Sequence, residues 1–289
     1  MLNILVTGAN GQLGSEIREL SINYPYRFFF TNKTQLDISD EKAIEKFIVT
    51  HNINTILNCA AYTAVDKAES ERENAYAINA YAVKTLASLS KQYAIKFIHI
   101  STDYVFNGTH FQPYLENHAT DPLSVYGESK RAGEEALLEV NPTNTIIIRT
   151  SWVYSSYGNN FVKTMLRLAK EKESLNVIYD QIGTPTYAKD LAYSILEILP
   201  KISNQTVEIY HYSNEGVASW YDFAKEITFL ENLTCRIEPI TTEYYPLPAK
   251  RPYYSLLNKS KIKQTFDIKI PHWKESLKVC LSKMNNTKG

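Results

Sequence analysis

Cysteine is scarce in this chain. Cys59, Cys235 and Cys280 are its three thiols, far apart and without a C-x-x-C pair. That spacing excludes a disulfide framework and a cysteine-based zinc site, and leaves reduced thiols of the kind a cytosolic protein keeps. Net charge is lacking too: 31 lysines and arginines balance 31 aspartates and glutamates. No long-range field therefore draws the chain to nucleic acid or to an anionic membrane, and an anionic ligand needs a locally built site. No apolar run approaches the roughly 18 residues of a membrane span. The opening MLNILVTGANG has no basic n-region and reaches a glycine within eight residues, so it does not read as a signal peptide. The expectation is a cytoplasmic protein, at 289 residues longer than one typical domain.

What is present is alternation. Short apolar runs at residues 2–7, 27–31, 54–60, 96–101 and 145–151 read as strands, while residues 12–20, 40–50, 70–93 and 127–139 read as helices. Apolar, turn-bounded strands separated by helices imply βαβ units and a parallel sheet covered on both faces. Right-handed crossovers then leave a doubly wound α/β fold as the economical solution. Beyond residue 150 the rhythm loosens. Helices are expected over 161–172 and 190–199, the second ended by Pro200, with a short strand over 176–179. Pro246, Pro248 and Pro252 among aromatics make residues 244–254 an irregular loop. The expected architecture is a doubly wound parallel (Rossmann) sheet over residues 1–150, with residues 151–289 a smaller mixed α/β substrate-binding cap partly interleaved with it.

Between the first strand and helix lies Thr7-Gly8-Ala9-Asn10-Gly11-Gln12-Leu13-Gly14, with glycines at G-x-x-G-x-x-G. Gly8 permits the tight turn, and Gly14 allows the helix to pack closely on the strand. Gly11 lets a phosphate approach the helix N-terminus, where unpaired N–H groups and the macrodipole favour negative charge. The position after the first strand points to a dinucleotide. The second strand runs into Thr31-Asn32-Lys33 without the carboxylate that usually holds a ribose lacking a 2′-phosphate. Lys33 could face a 2′-phosphate instead, which favours NADPH and leaves NADH open. Asp37 and Ile38 stand where a loop could frame the adenine.

Tyr126-Gly127-Glu128-Ser129-Lys130 places a phenol and an ammonium at i and i+4 on one face of a helix. Reduction of a ketone needs a proton on oxygen as hydride reaches carbon. A tyrosine of ordinary pKa, about 10, is a reluctant donor–acceptor near neutrality, and a close cation lowers it. Ser101 and Thr102 end the fourth strand, the edge where open parallel sheets bind ligands. A hydroxyl there can polarise a carbonyl. Turn, hydroxyl, phenol and amine together predict a nicotinamide-dependent reductase.

With these residues in place, the chain resembles the extended short-chain dehydrogenases and, more narrowly, the dTDP-4-dehydrorhamnose reductase family. The likeness rests on TGANGQLG (7–14), CAAYTAVDKAE (59–69), STDYVFNG (101–108), PLSVYGESKRAGE (122–134), RTSWVY (149–154), NNFVKTML (159–166), DQIGTPTYAKDLA (180–192) and RPYYSLL (251–257). The resemblance implies reduction of the C4 ketone of a dTDP-6-deoxy-hexulose to dTDP-L-rhamnose. It implies Tyr126 as proton donor, Lys130 as its partner and Thr102 as the hydroxyl beside them. Gly8, Gly11, Gln12 and Leu13 would meet the cofactor diphosphate, and Asp37 and Ile38 its adenine end. Ala60, Ala61, Tyr62 and Thr63 would line the nicotinamide-ribose side. Asp103, Tyr104 and Trp152 would contact the sugar, and Arg251 would clamp the substrate diphosphate, with Asn160 and Gln181 weaker candidates. Some relatives bind Mg2+ at a homodimer contact, and no acidic cluster in this sequence locates such a site.

Two other readings share the scaffold. A nucleotide-sugar dehydratase carries acidic residues directly after the threonine, where this chain has Asp103 and then Tyr104; an epimerase would hold NAD without exchange. A non-catalytic relative serves as a regulatory subunit of methionine adenosyltransferase, a role for which the complete Thr102, Tyr126 and Lys130 set has no use.

Overall fold

A computed structural model describes residues 1–286. In its first half, β1 (Asn3–Thr7), β2 (Arg27–Phe30), β3 (Thr55–Asn58), β4 (Lys96–Thr102) and β5 (Thr145–Thr150) alternate with helices. These are α1 (Gln12–Leu20), α2 (Glu41–His51), α3 (Val65–Ala68), α4 (Arg72–Tyr76), α5 (Ala82–Gln92) and α6 (Val125–Val140). The second half contributes β6 (Val153–Tyr154), α7 (Phe161–Glu171), β7 (Ser174–Ile178), β8 (Ile182–Gly183) and β9 (Thr186–Tyr187). After these come α8 (Ala188–Ile198), β10 (Glu208–Tyr212), β11 (Ala218–Ser219), α9 (Trp220–Leu230), β12 (Arg236–Ile240), α10 (Ser260–Phe266) and α11 (Trp273–Asn286).

Six strands form one parallel sheet in the order β10-β5-β4-β3-β1-β2. The order reverses between β1 and β3, the switch point where open α/β sheets leave a crevice beyond their C-terminal ends. The continuous apolar runs follow from burial on both faces. Ile4, Val6, Ile146 and Ile148 pack with Leu13 and Ile17 of α1 and Leu191 and Ile195 of α8. Leu5, Ile56, Phe97 and Ile147 pack on the opposite side with Ile44 of α2 and Leu86 of α5. Local signals set the helix ends. The Asp40 carboxylate accepts from Ala43 N at 3.0 Å to start α2, the Ser124 hydroxyl accepts from Gly127 N at 3.3 Å to start α6, and Asn52 and Asn141 close both in the left-handed region.

Several elements depart from the sequence reading, among them α9, α10 and α11 and the short strands β6, β8, β9, β11 and β12, which no pattern announced. The helix expected over residues 70–93 is α4 and α5 joined by a π-helical turn, Ala77–Tyr81. Strand β10 was not anticipated: in EIYHY a glutamate and a histidine interrupt the apolar residues, so no continuous apolar run marks it, and it lies at the sheet edge beside β5. Tyr154, Tyr187, Phe223, Leu277 and Cys280 build a second core within the cap. No helix among the described residues is long and apolar enough to cross a membrane.

Candidate active site

The glycine turn is built as its spacing demands. Gly8 has φ +63°, and a Cβ there would lie 2.6 Å from Ala60 N. A Cβ at Gly14 would lie 2.6 Å from Ala9 Cα, so only glycine lets α1 sit this close to β1. Gly11 is the N-cap of α1 and supplies no side-chain cap, so the first-turn amides keep their capacity for an anion. They open onto a cleft of about 740 Å³ at the C-terminal edge of the sheet. Gly8, Gly11, Gln12 and Leu13 line its floor, with Ala60, Ala61 and Thr63 from the segment after β3. A dinucleotide's diphosphate fits this cradle, since the glycines keep its wall at backbone height.

At the far end lie Asn32, Lys33, Asp37 and Ile38. The Asn32 side chain accepts from Thr34 N and Oγ1 and from Gln35 N, folding the end of β2 into a turn. Asp37 accepts from Ser39 Oγ at 2.7 Å and Ser39 N at 2.9 Å, which holds its carboxyl below the usual range. That carboxylate is thus committed to its own loop.

The chemistry sits at the other end, where β4 and α6 converge. Thr102, Asp103, Tyr104, Tyr126 and Lys130 all line the cleft. Asp103 is buried, and desolvation pushes its carboxyl up to about 6, against the pull of the Ser255 and Thr102 hydroxyls. The rings of Tyr104 and Tyr126 meet edge to face at 5.5 Å. The Lys130 amine is buried and pushed down to about 8, partly offset by Glu134. It donates to Ile100 O at 2.7 Å and lies 3.3 Å from His99 Nε2. A close ammonium lowers a phenol. Here burial wins and holds Tyr126 up at about 12, and the group that pulls it back is the Thr102 hydroxyl.

Other expected residues divide. Trp152 lines the cleft at φ +48°, stacked on Trp220 with ring centroids 3.6 Å apart. A left-handed, non-glycine residue persists only where its surroundings over-determine it, and Gly183, with no Cβ to strike the indole, supplies the room. Gln12 reaches across the cleft: its Nε2 donates to Val153 O at 3.3 Å, and its Oε1 accepts from Asn160 Nδ2 at 3.0 Å. Asn160 also caps α7, and Gln181, buried, donates to Thr242 Oγ1 at 3.0 Å. Tyr62 turns its hydroxyl to Glu71 at 2.9 Å rather than to the cleft. Arg251 is a bidentate partner of Asp66, at 3.0 and 2.8 Å.

Sequence reasoning missed a buried support layer. Asn79, in the π turn, accepts from Tyr62 N and donates to Tyr62 O and Ser129 Oγ, tying the loop after β3 to the helix of Tyr126 and Lys130. Glu134 accepts from Ser101 Oγ and pairs with Arg149, both carboxylate and guanidinium buried. The available signal was polar residues inside apolar strands: Asn58, His99 and Arg149. Among the described residues no three His, Cys, Asp or Glu side chains come together as a metal site.

A family model described as the RmlD substrate binding domain matches residues 2–286. A dTDP-4-dehydrorhamnose reductase of Aggregatibacter actinomycetemcomitans is 43% identical, the match covering 96% of this chain and 98% of that one. Among solved structures, a dTDP-4-dehydrorhamnose reductase of Clostridium acetobutylicum superposes with a TM-score of 0.93 at 41% identity, covering 98% of this chain and 100% of the other. That of Bacillus anthracis, solved in complex with NADP, gives 0.93 at 39% identity with the same coverage.

Proposed function

This chain belongs to the dTDP-4-dehydrorhamnose reductase family, and on that premise we propose that it reduces the C4 ketone of dTDP-4-dehydro-L-rhamnose to give dTDP-L-rhamnose. The observation that carries the reading is the convergence of Thr102, Tyr126 and Lys130 on one end of a cleft whose other end is a glycine cradle. Gly8, Gly11, Gln12 and Leu13 would hold the diphosphate of a nicotinamide dinucleotide, with Ala60, Ala61 and Thr63 beside its nicotinamide ribose. Lys33, and the lack of a carboxylate at the end of β2, support NADPH. When bound, the reduced cofactor supplies the hydride that carbon 4 receives.

The chain's own groups do the rest. Thr102 and Tyr126 would receive the ketone oxygen between two hydroxyls, and hydrogen bonding there favours the charge that develops on it. Tyr126 holds its proton throughout the neutral range, because its phenol is held up at about 12, and passes it to the oxygen. Lys130, one helical turn on, favours the phenolate that is left. Trp152, fixed by Trp220, offers a flat apolar face to the sugar, beside Asp103 and Tyr104. Arg251 comes to the substrate diphosphate only by exchanging or sharing its Asp66 partner.

The test is NADPH oxidation with dTDP-4-dehydro-L-rhamnose, followed by NMR of the sugar. Stoichiometric oxidation giving the L-rhamno configuration is the expected result. Intact cofactor binding without oxidation would overturn the reading.

A further inference from the structure

A chain of buried polar groups runs under the cleft from the glycine turn to the active-site amine. Ala60 N donates to Thr7 Oγ1 at 3.4 Å, and Thr7 Oγ1 lies 2.6 Å from Asn58 Oδ1. Asn58 Nδ2 is 3.1 Å from His99 Nδ1, and His99 Nε2 is 3.3 Å from Lys130 Nζ, which donates onward to Ile100 O at 2.7 Å. Thr7, Asn58, His99 and Lys130 come from β1, β3, β4 and α6, and each is at most 1% exposed. His99 does not line the cleft.

Distances fix the direction of this chain. At 2.6 Å the contact between Thr7 and Asn58 suits a hydroxyl donating to an oxygen and is short for an amide N–H. The Asn58 carbonyl therefore faces Thr7, and its NH2 faces the ring and donates to Nδ1. A neutral imidazole that accepts at Nδ1 carries its proton on Nε2. The ring is neutral, because burial and the adjacent Lys130 hold its proton affinity far below the ordinary value. The Nε2–H group then points at Lys130 Nζ. It can donate to an amine, whereas an ammonium would bring two N–H dipoles head to head.

We propose that His99 is a positioning residue that presents an Nε2–H group to Lys130, opposes protonation of that amine beyond what burial does, and so lowers the pH at which the site stops working. The meaning for turnover rests on the reductase reading; the hydrogen-bond assignment does not. Burial lowers the amine first, the ring's N–H group adds to that lowering, and the other ionisable groups on the elements around the amine act otherwise. Glu134, one turn further along α6, favours the ammonium but is already shared by Arg149 and Ser101. Tyr126, one turn back, and Cys59, at the end of β3, are both pushed up to about 12 and stay neutral. Asp103, beyond the end of β4, acts on the phenol.

The experiment uses the full-length protein with 15N-labelled histidine and 13C-labelled lysine. Imidazole nitrogen shifts report the tautomer of His99, and the lysine shifts report the titration of Lys130, without and with NADPH. The wild-type ring is expected as the Nε2–H form. Thr7→Val removes the hydroxyl that orients the Asn58 amide and changes shape least; Asn58→Leu removes the donor to Nδ1. Either should move the ring proton to Nδ1 and make Nε2 an acceptor. Lys130 should then titrate more than about half a pH unit higher, a threefold gain or more in proton affinity. The basic limb of turnover should rise with it, with the KM for the sugar nucleotide unchanged. A wild-type Nδ1–H ring, or a Lys130 titration that stays put when the tautomer changes, would overturn the proposal. If the shifts behave as stated and no keto-sugar nucleotide is reduced, the reductase reading fails and the role of His99 stands.

Discussion

Tyr126 and Lys130 are displaced from their ordinary proton affinities in opposite directions, and both displacements come first from burial. Tyr126→Phe keeps the ring against Tyr104 and removes the proton, so turnover should fall by about 10²–10⁴-fold with NADPH affinity unchanged. Steady-state kinetics beside a cofactor titration checks this, and near-normal turnover would remove Tyr126 as the acid. Lys130 must carry a proton to favour a phenolate. Activity should therefore be full below its pKa and decline as pH rises through the region near 8. Asp103 bears on stability. Its carboxyl is raised to about 6 from an unfolded value of 3.8, so folding disfavours the ionised form. The penalty is complete above about pH 6 and vanishes below about pH 4. Asp103→Asn should therefore stabilise the protein by about 1–3 kcal/mol at pH 8, with the difference shrinking as pH falls through that window. Denaturant melts of both proteins at several pH values read it directly, and a difference independent of pH would refute it.

At the scale of elements, the sheet's inner strands and its glycine turn were legible because each has a local cause: continuous burial for β1, β3, β4 and β5, and steric necessity at Gly8 and Gly14. What was not legible depends on partners distant in sequence. Arg251 was expected at a diphosphate and is paired with Asp66, 185 positions away, a partner no motif announces. The π turn was invisible because apolar periodicity does not separate one wide turn from a regular helix. Its Asn79 satisfies both backbone groups of Tyr62 and the Ser129 hydroxyl. Asn79→Ala should cost about 1–3 kcal/mol by taking their partner from the part-buried Tyr62 backbone groups, while Ser129 keeps its bond to Tyr126 O, and should loosen NADPH more than it slows chemistry at saturation. Trp152 is held by an element of its own, the start of α9. Trp220→Ala should raise the KM for the sugar nucleotide with little change in kcat, and an unchanged KM would show that the stack does not position the indole.

Over the whole molecule, the two halves share one sheet. β10 extends the sheet beside β5, and α8 covers α1 with Leu191, Ile195 and Leu196. Gln12 and the buried Glu16, which accepts from Ser155 Oγ at 2.6 Å, fasten α1 to the cap. A fragment of residues 1–150 should therefore show no cooperative unfolding transition and no dinucleotide binding, measured by calorimetry; a stable fragment that binds NADPH would contradict this.

The wide turn at Ala77–Tyr81 also has an evolutionary and engineering consequence. Each residue of an α-helix advances the chain by about 100°, so deleting one from a regular turn would swing every following side chain off the core. A turn closed by i→i+5 bonds already holds a surplus residue. Shortening it by one would restore ordinary winding and leave Val83, Leu86 and Ala87 facing inward. Length variation in this rod is therefore tolerable at that turn for the packing, and what it would forfeit is the grip of Asn79.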